Sequence, residues 1–325
     1  MNAAVDTLTS LADSSVVRRN RVLDAVLRSL TRIAAIAVLV LLGGVIVALI
    51  EGAWPALKTF GLPFLYTESW NPVTETFGAA APIYGTIVTS LIAMLIGVPL
   101  SIGIAIFLTE LCPRPLKRPI GIAVELLAGI PSIIYGIWGL FVLAPILQQW
   151  IQPALIQLTD GIPVLETLFA GPPYGIGVLT AGLILSIMVL PFITAITRDV
   201  FETVPPMLKE SAYGLGCTTW EVVRYVVLPY TRTGVIGGVM LGLGRALGET
   251  MAVTFVIGNA HRIKSSLLAP GTTISASIAN EFTEADGVLY TSSLIALGLI
   301  LFMITFIVLA AARYLLLRLK QREGS

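Results

Sequence analysis

The sequence predicts an all-α integral membrane protein with six transmembrane helices. Three observations carry that expectation: an apolar composition, six separated apolar stretches, and an uneven placement of Lys and Arg. Hydrophobic residues make up 56% of the 325-residue chain and charged residues 12%, about half the charged share of a soluble domain. The mean hydropathy is +0.91. A net charge of +1, with no clustered basic surface in the sequence, gives a phosphate backbone nothing to hold, so nucleic-acid binding is not expected.

A hydrocarbon core about 30 Å thick needs about 20 apolar residues per helix. Residues 32–50, 83–108, 120–147, 174–197, 234–258 and 291–312 meet that length. The N-terminal tail and the connections after the second, fourth and sixth stretches hold 16 of the 20 Lys and Arg. The positive-inside rule then places both termini in the cytoplasm. The expected organisation is a cytoplasmic segment 1–31, a six-span domain 32–315 with a long cytoplasmic connection 198–233, and a cytoplasmic tail 316–325.

Residues 16–30 place Val22, Leu23, Val26, Leu27 and Leu30 on one face, away from Arg18, Arg21 and Arg28. That pattern suits a helix lying on the cytoplasmic leaflet; the alternative is a basic tail without fixed structure. More than 30 residues precede the first stretch and no A-x-A site follows it, so it is expected to remain as an anchor. Cys112 and Cys217 both fall in cytoplasmic connections, where thiols stay reduced. No cofactor or metal site is expected, because the cysteines lack metal-binding spacing and His261 is the lone histidine. His261 reads as a solvated polar group, Trp54, Trp70 and Trp150 as markers of the headgroup level, and Glu281, Glu284 and Asp286 as an acidic outer patch. Gly129 and Pro131 predict a kink in the third span; Pro99 and Pro191 allow the same in the second and fourth.

The connection 198–233 is too patterned for a flexible linker. Pro205 and Pro206 suit the first turn of a helix, and Gly214 and Gly216 suit its end. Thr218 and Glu221 have capping-box spacing for a second helix, expected to stop at Pro229. The result is a helix–turn–helix that offers a docking element to another protein.

The fifth stretch contains "GLGRALGETMAV" at 242–253, with two charges where lipid tolerates them least. On a helical wheel Gly234, Gly238, Gly242, Arg245 and Glu249 fall within about 80° of one another. The glycines let another helix approach closely, so this face meets protein. Arg245 and Glu249, spaced i, i+4, are expected to reach each other. Membrane-embedded charges usually border a cavity or pathway. The pathway reading makes Arg245 an anion contact, since its planar fork of donors matches phosphate oxygens, with Glu249 moderating the grip. The alternative is an ion pair that pins helix packing.

"ESAYGLGCTTWEVVRYVVLP" at 210–229 resembles the E-A-A-x3-G-x9-I-x-L-P loop of ABC-importer permeases. Glu210, Ala212, Gly216, Leu228 and Pro229 are in register, with Ser211 in place of the second Ala and Val226 in place of the Ile. The resemblance implies that this loop fits a groove on an ATP-binding subunit, with Glu210 as the charged contact. No G-x-x-x-x-G-K-[ST] phosphate loop occurs in the chain, so ATP is not held by that route. "GRALGETMAV" and "LLAGIPSIIYGIWGL" (126–140) are similar to the PstC-type permease subunits of phosphate ABC importers, over nearly the whole chain. This resemblance implies the type I ABC-importer permease fold and a non-enzymatic transport subunit in the bacterial plasma membrane. It also implies as partners a PstA-type permease, two copies of an ATP-binding subunit and an extracytoplasmic phosphate-binding protein. A permease for sulfate, molybdate or phosphonate, and a proton-coupled carrier relaying through Arg245 and Glu249, remain competing readings. An intramembrane enzyme lacks paired aspartates, H-E-x-x-H and a Ser/His pair.

Overall fold

The computed structural model describes residues 15–323, with the side chains of 15–18, 315 and 319–323 outside that description. Residues 1–14 of the expected N-terminal segment, and 324–325 of the tail, lie outside it as well. Among the described residues, helices long and apolar enough to cross a membrane run Arg19–Phe60, Ala80–Leu111, Ser132–Thr159, Val178–Glu202, Thr219–Gly248 and Val288–Arg318.

The chain divides into two compact units, 1–52 and 53–325. The first is helical from residue 15. It begins α1 (Ser15–Phe60), whose 46 residues reach about 69 Å, more than twice the hydrocarbon thickness. Residues 16–30 and the first apolar stretch are therefore one uninterrupted helix. Apolar side chains along it, such as Leu23, Ile33 and Leu41, are exposed.

In the second unit, α2 (Ala80–Ile106, extended by a π turn at Phe107–Leu111) packs along α6 (Val178–Glu202). Small residues set that contact: Gly97 lies against Val189, and Gly182 against Ile92. The Ser101 hydroxyl donates to the Leu190 carbonyl at 3.1 Å, an interhelical bond of the kind that joins helices without a hydrophobic driving force. Gly175 takes φ 77° and passes so close to the Ala144 carbonyl that a Cβ would collide with it. That tight passage is why α6 starts at Val178 and not at residue 174.

The third span departs from the expected 120–147. α3 (Arg114–Ala128) is a separate amphipathic helix, and α4 begins only at Ser132 and runs to Thr159. Pro131 excludes Ile130 from helical geometry, so the proline ends a helix instead of bending one. α4 absorbs Pro145 and Pro153 next to π turns at Gly139–Leu143 and Leu147–Ile151, which tolerate a missing backbone donor. Glu125 thus sits on α3, where it takes an ion pair from Arg198 at 2.7 Å.

After a short helix α5 (Pro163–Leu168) and α6 comes α7 (Pro206–Gly214), then a turn in which Gly216 takes φ 86°. Thr218 and Glu221 form the capping box: the Thr218 hydroxyl accepts from the Glu221 N–H, and the Glu221 carboxylate accepts from the Thr218 N–H at 2.7 Å. The second helix does not stop at Pro229. It continues as α8 (Thr219–Gly248) through a π turn at Val223–Val227 that accommodates the proline. The finger is therefore one piece with the fifth span. Ala212, Val222 and Val227 pack with Ala105, Phe201 and Val235, and the Lys209 ammonium pairs with the Glu110 carboxylate of α2 at 2.6 Å.

α8 is followed by α9 (Met251–Val256), α10 (Ile274–Glu281) and α11 (Val288–Glu323). At the α9–α11 side, Glu281 accepts hydrogen bonds from Trp70 Nε1 (2.6 Å) and the Tyr290 hydroxyl (2.7 Å) and lies 2.7 Å from His261 Nε2. Burial pushes its pKa up, but the bonds from His261, Tyr290 and Trp70 outweigh burial and hold the carboxyl below its usual range. Trp70 stacks on His261 with centroids 4.9 Å apart. His261 and Trp70 are thus members of a half-buried cluster, and neither is a free surface group; Trp54 and Trp150 are exposed.

Along α8, Gly234, Gly238 and Gly242 face Val200, Ile196 and Ile193 of α6, and a Cβ on Gly238 would meet Ile196 Cγ2 at 2.9 Å. Gly238→Leu should lower the stability of the folded chain by about 1–3 kcal/mol through overpacking, read as a lower midpoint of thermal unfolding in detergent. Gly237→Leu, with nothing within 4 Å of its Cβ position, should leave that midpoint unchanged. The Glu110 side chain is only 6% exposed, so Lys209→Met leaves a buried, unpaired carboxylate and should cost about 3 kcal/mol. The double variant Lys209→Met with Glu110→Gln should recover most of that loss in the same measurement; equal loss in both would show that the ion pair does not anchor α7.

Candidate functional site

Arg245 occupies the last turn of α8, on the same side as the glycines. Its guanidinium carbon lies 4.3 Å from the centre of the Phe192 ring of α6, a cation–π contact worth about 0.5–2 kcal/mol. Its Nε is buried without a hydrogen-bond partner. A buried, unused donor is costly, so this arginine is only partly satisfied by the chain itself.

The helix ends one turn later. Glu249 leaves helical geometry at φ −71° and ψ 132°, and Thr250 precedes the start of α9 at Met251. The expected i, i+4 pair does not form: among the described residues, no ion pair joins Arg245 to Glu249 within 4.0 Å. The reason is geometric, because side chains four apart stack only while the helix continues between them. Glu249 instead turns toward α9, where its Oε1 lies 3.5 Å from the Ala252 N–H.

The end of α8 sits beside the start of the third span. α9 packs on the beginning of α4, and Gly136 makes the approach possible, since a Cβ there would lie 3.1 Å from both Ala252 Cα and Met251 O. Tyr135, next to it, donates its hydroxyl to the Leu127 carbonyl at 2.8 Å, tying α4 back to α3 across the Gly129–Pro131 corner. Non-helical backbone at membrane depth is tolerated only where protein or a water-filled cavity surrounds it, and broken helices border substrate sites in transport proteins. Arg245 and Glu249 therefore stand at a junction of two interrupted helices. Sequence reading missed Phe192, Tyr135 and Gly136, because an aromatic or a glycine within an apolar span carries no signal until its neighbours are known.

The second element is the finger. Glu210 and Ser211 are exposed on α7, and the Ser211 hydroxyl is used within the helix, donating to the Met207 carbonyl at 2.7 Å. Ala212 is buried against Val222 and Val227, while Leu228 is half-buried at the root. Gly216 stands in open space at the tip. Beside it Leu215 is 86% exposed and, on the next helix, Trp220 62%. Large apolar groups at the tip of a rigid projection form the kind of patch that marks a protein contact, and this apolar component is not evident from the loop motif.

Known proteins resemble this chain. A family model described as "Binding-protein-dependent transport system inner membrane component" matches residues 97–321. The chain is 70% identical over 327 residues to the "Phosphate transport system permease protein PstC" of Mesorhizobium japonicum, covering 100% of each. It is 57% identical over 305 residues to the protein of the same name from Pasteurella multocida, covering 94% of this chain and 95% of that one. One chain of a solved bacterial alginate ABC transporter, bound to its periplasmic protein, superposes at a TM-score of 0.59 over 95% of this chain and 98% of its own. At 17% identity that likeness concerns the fold, which is that of type I ABC-importer permeases. The chain belongs to the family of binding-protein-dependent transport system inner membrane components and, within it, to the PstC permease proteins.

Proposed function

We infer that the chain is the transmembrane permease subunit of an ATP-driven importer of inorganic phosphate, multi-pass in the inner membrane. It would form the translocation pathway with a second, PstA-type permease. The reading rests on full-length similarity to PstC permeases together with one local observation, Arg245 placed at the junction of two broken helices with a donor left unused. The assembly would include two copies of an ATP-binding subunit, one of them docked on this finger, and an extracytoplasmic phosphate-binding protein would deliver the anion. Both termini are cytoplasmic on the distribution of Lys and Arg, and residues 16–30 of α1 carry the face that suits the cytoplasmic leaflet.

Arg245 is the substrate contact in this scheme. Its free donor and positive charge would attract a phosphate oxygen, and loss of the direct pair with Glu249 leaves the guanidinium available to an anion. Glu249 stands one turn along, close enough in sequence to weigh on an anion at Arg245. A carboxylate repels fully ionised sulfate, whereas hydrogen phosphate can donate a proton to it. Glu210, Ser211 and Gly216 form the coupling surface, Ala212 anchors it from beneath, and Leu228 and Pro229 lie where α8 carries a push from it into the spans as a rigid body.

Arg245→Gln should abolish phosphate uptake by proteoliposomes holding the assembled transporter, while the subunits still co-purify. Uptake at the normal rate would remove Arg245 from the pathway. Uptake should be blocked by vanadate; sensitivity to a protonophore alone would point to a secondary carrier. Glu249→Gln should retain uptake but reduce preference for phosphate over sulfate about tenfold, the equivalent of ~1.4 kcal/mol. An unchanged preference, measured by competition with labelled phosphate, would take the selectivity role from Glu249.

A further inference from the structure

Away from the helix breaks and the finger, one groove gathers cations. α3 lies across the end of α6, held by Arg198 Nη1 on Glu125 Oε1 at 2.7 Å and by Lys117 Nζ on Glu202 Oε1 at 2.9 Å. Between the two helices is a cavity of about 310 Å³ lined by Arg114, Lys117, Arg118 and Arg198 on the positive side and Glu125 and Glu202 on the negative. Both carboxylates are engaged by Lys117 and Arg198, and Arg198 also holds Asp199 at 2.9 Å. Arg114 and Arg118 are exposed, and neither makes an ion pair among the described residues. The groove therefore has two guanidinium groups with no counter-ion.

The same helix supplies an apolar half. Ile122 lines the cavity, and Leu126, one turn along α3, is exposed. Gly121 forms the floor, where a Cβ would come within 3.1 Å of Arg198 Nη1. A free anion would satisfy only the charged half of this surface. A molecule with an anionic head and an acyl tail satisfies both, and clustered bases next to a span end on the cytoplasmic side are what anionic lipids recognise.

We propose that this groove binds the phosphodiester head of an anionic phospholipid, with Arg114 and Arg118 holding the phosphate oxygens and Ile122 and Leu126 receiving the acyl chain. Guanidinium forks match phosphate geometry. A lipid seated there braces α3, which connects the second span to the corner at Gly129–Pro131, against α6. Assigning it to the cytoplasmic leaflet rests on the orientation inferred above.

The test uses the assembled transporter in neutral detergent, titrated with dioctanoyl phosphatidylglycerol and read by native mass spectrometry. Arg114→Gln with Arg118→Gln should bind this lipid about thirtyfold more weakly, about fivefold for each cation removed. Neither guanidinium is tied into the fold by an ion pair, so unchanged thermal unfolding and subunit composition are expected. Dioctanoyl phosphatidylcholine, whose choline cation offsets the same phosphodiester, should bind wild type more weakly than phosphatidylglycerol does and lose less in the variant; equal losses for the two lipids would overturn the preference for an anionic head. Equal phosphatidylglycerol binding by the two proteins would overturn the site. So would displacement of the lipid by inorganic phosphate at equal concentration, which would identify a free-anion site. Ile122→Glu should weaken lipid binding as well, and no effect would remove the acyl half of the proposal. Labelling of Cys112, two residues from Arg114, in a Cys217→Ser background by a membrane-impermeant maleimide reports the leaflet. Reaction in right-side-out vesicles would overturn the leaflet assignment and leave the detergent binding result standing by itself.

Discussion

The constraint on which the rest depends is the cost of an unsatisfied backbone group in hydrocarbon. A helix that stops inside the membrane exposes polar ends, each costing several kcal/mol unless protein or water receives them. Here α3 ends at the Gly129–Pro131 corner, just ahead of the span that begins at Ser132, and α8 ends at Glu249–Thr250, and the segments that follow the two ends pack against each other. Gly136 allows that contact, because a side chain there would strike Ala252, Met251 and Phe255. The junction in turn fixes where Arg245 and Glu249 point. The pair is separated not by distance along the chain but by loss of the helical turn that would have stacked them.

A second consequence concerns how motion could travel. α7 and the start of α8 project as a finger, yet α8 is continuous from Thr219 to Gly248. The π turn at Val223–Val227 carries Pro229 without ending the helix. Displacement of the finger therefore reaches Arg245 through a single rigid element. The Lys209–Glu110 pair and the buried Ala212 tie the finger to α2 and α6 as well, and the glycine face of α8 follows α6 closely enough that the two helices must move together or repack.

Much of this was legible in the residues. Six apolar stretches, the capping box at Thr218 and Glu221, and the glycine stripe each follow from short-range rules of length, spacing and size. The errors fell where two local readings were equally good. Residues 120–147 are apolar enough to be one span, and only the restriction Pro131 places on Ile130, together with the amphipathic pattern of α3, separates them. Pro229 looked like a stop because a proline removes a donor, whereas the helix runs on through it directly after the π turn at Val223–Val227. His261 and Trp70 looked solvent-facing and lipid-facing because their partners, Glu281 and Tyr290, are remote in sequence.

The chain by itself determined its solvent and the number of its spans, since composition and periodicity are summed over many residues and survive small errors. Tertiary structure alone decided that the two helix breaks lie together, that Arg245 meets Phe192 and not Glu249, and that Arg114 and Arg118 border one groove with Arg198. Those relations join residues tens of positions apart through packing, and no local spacing rule encodes which distant side chain will fill the space beside a given one.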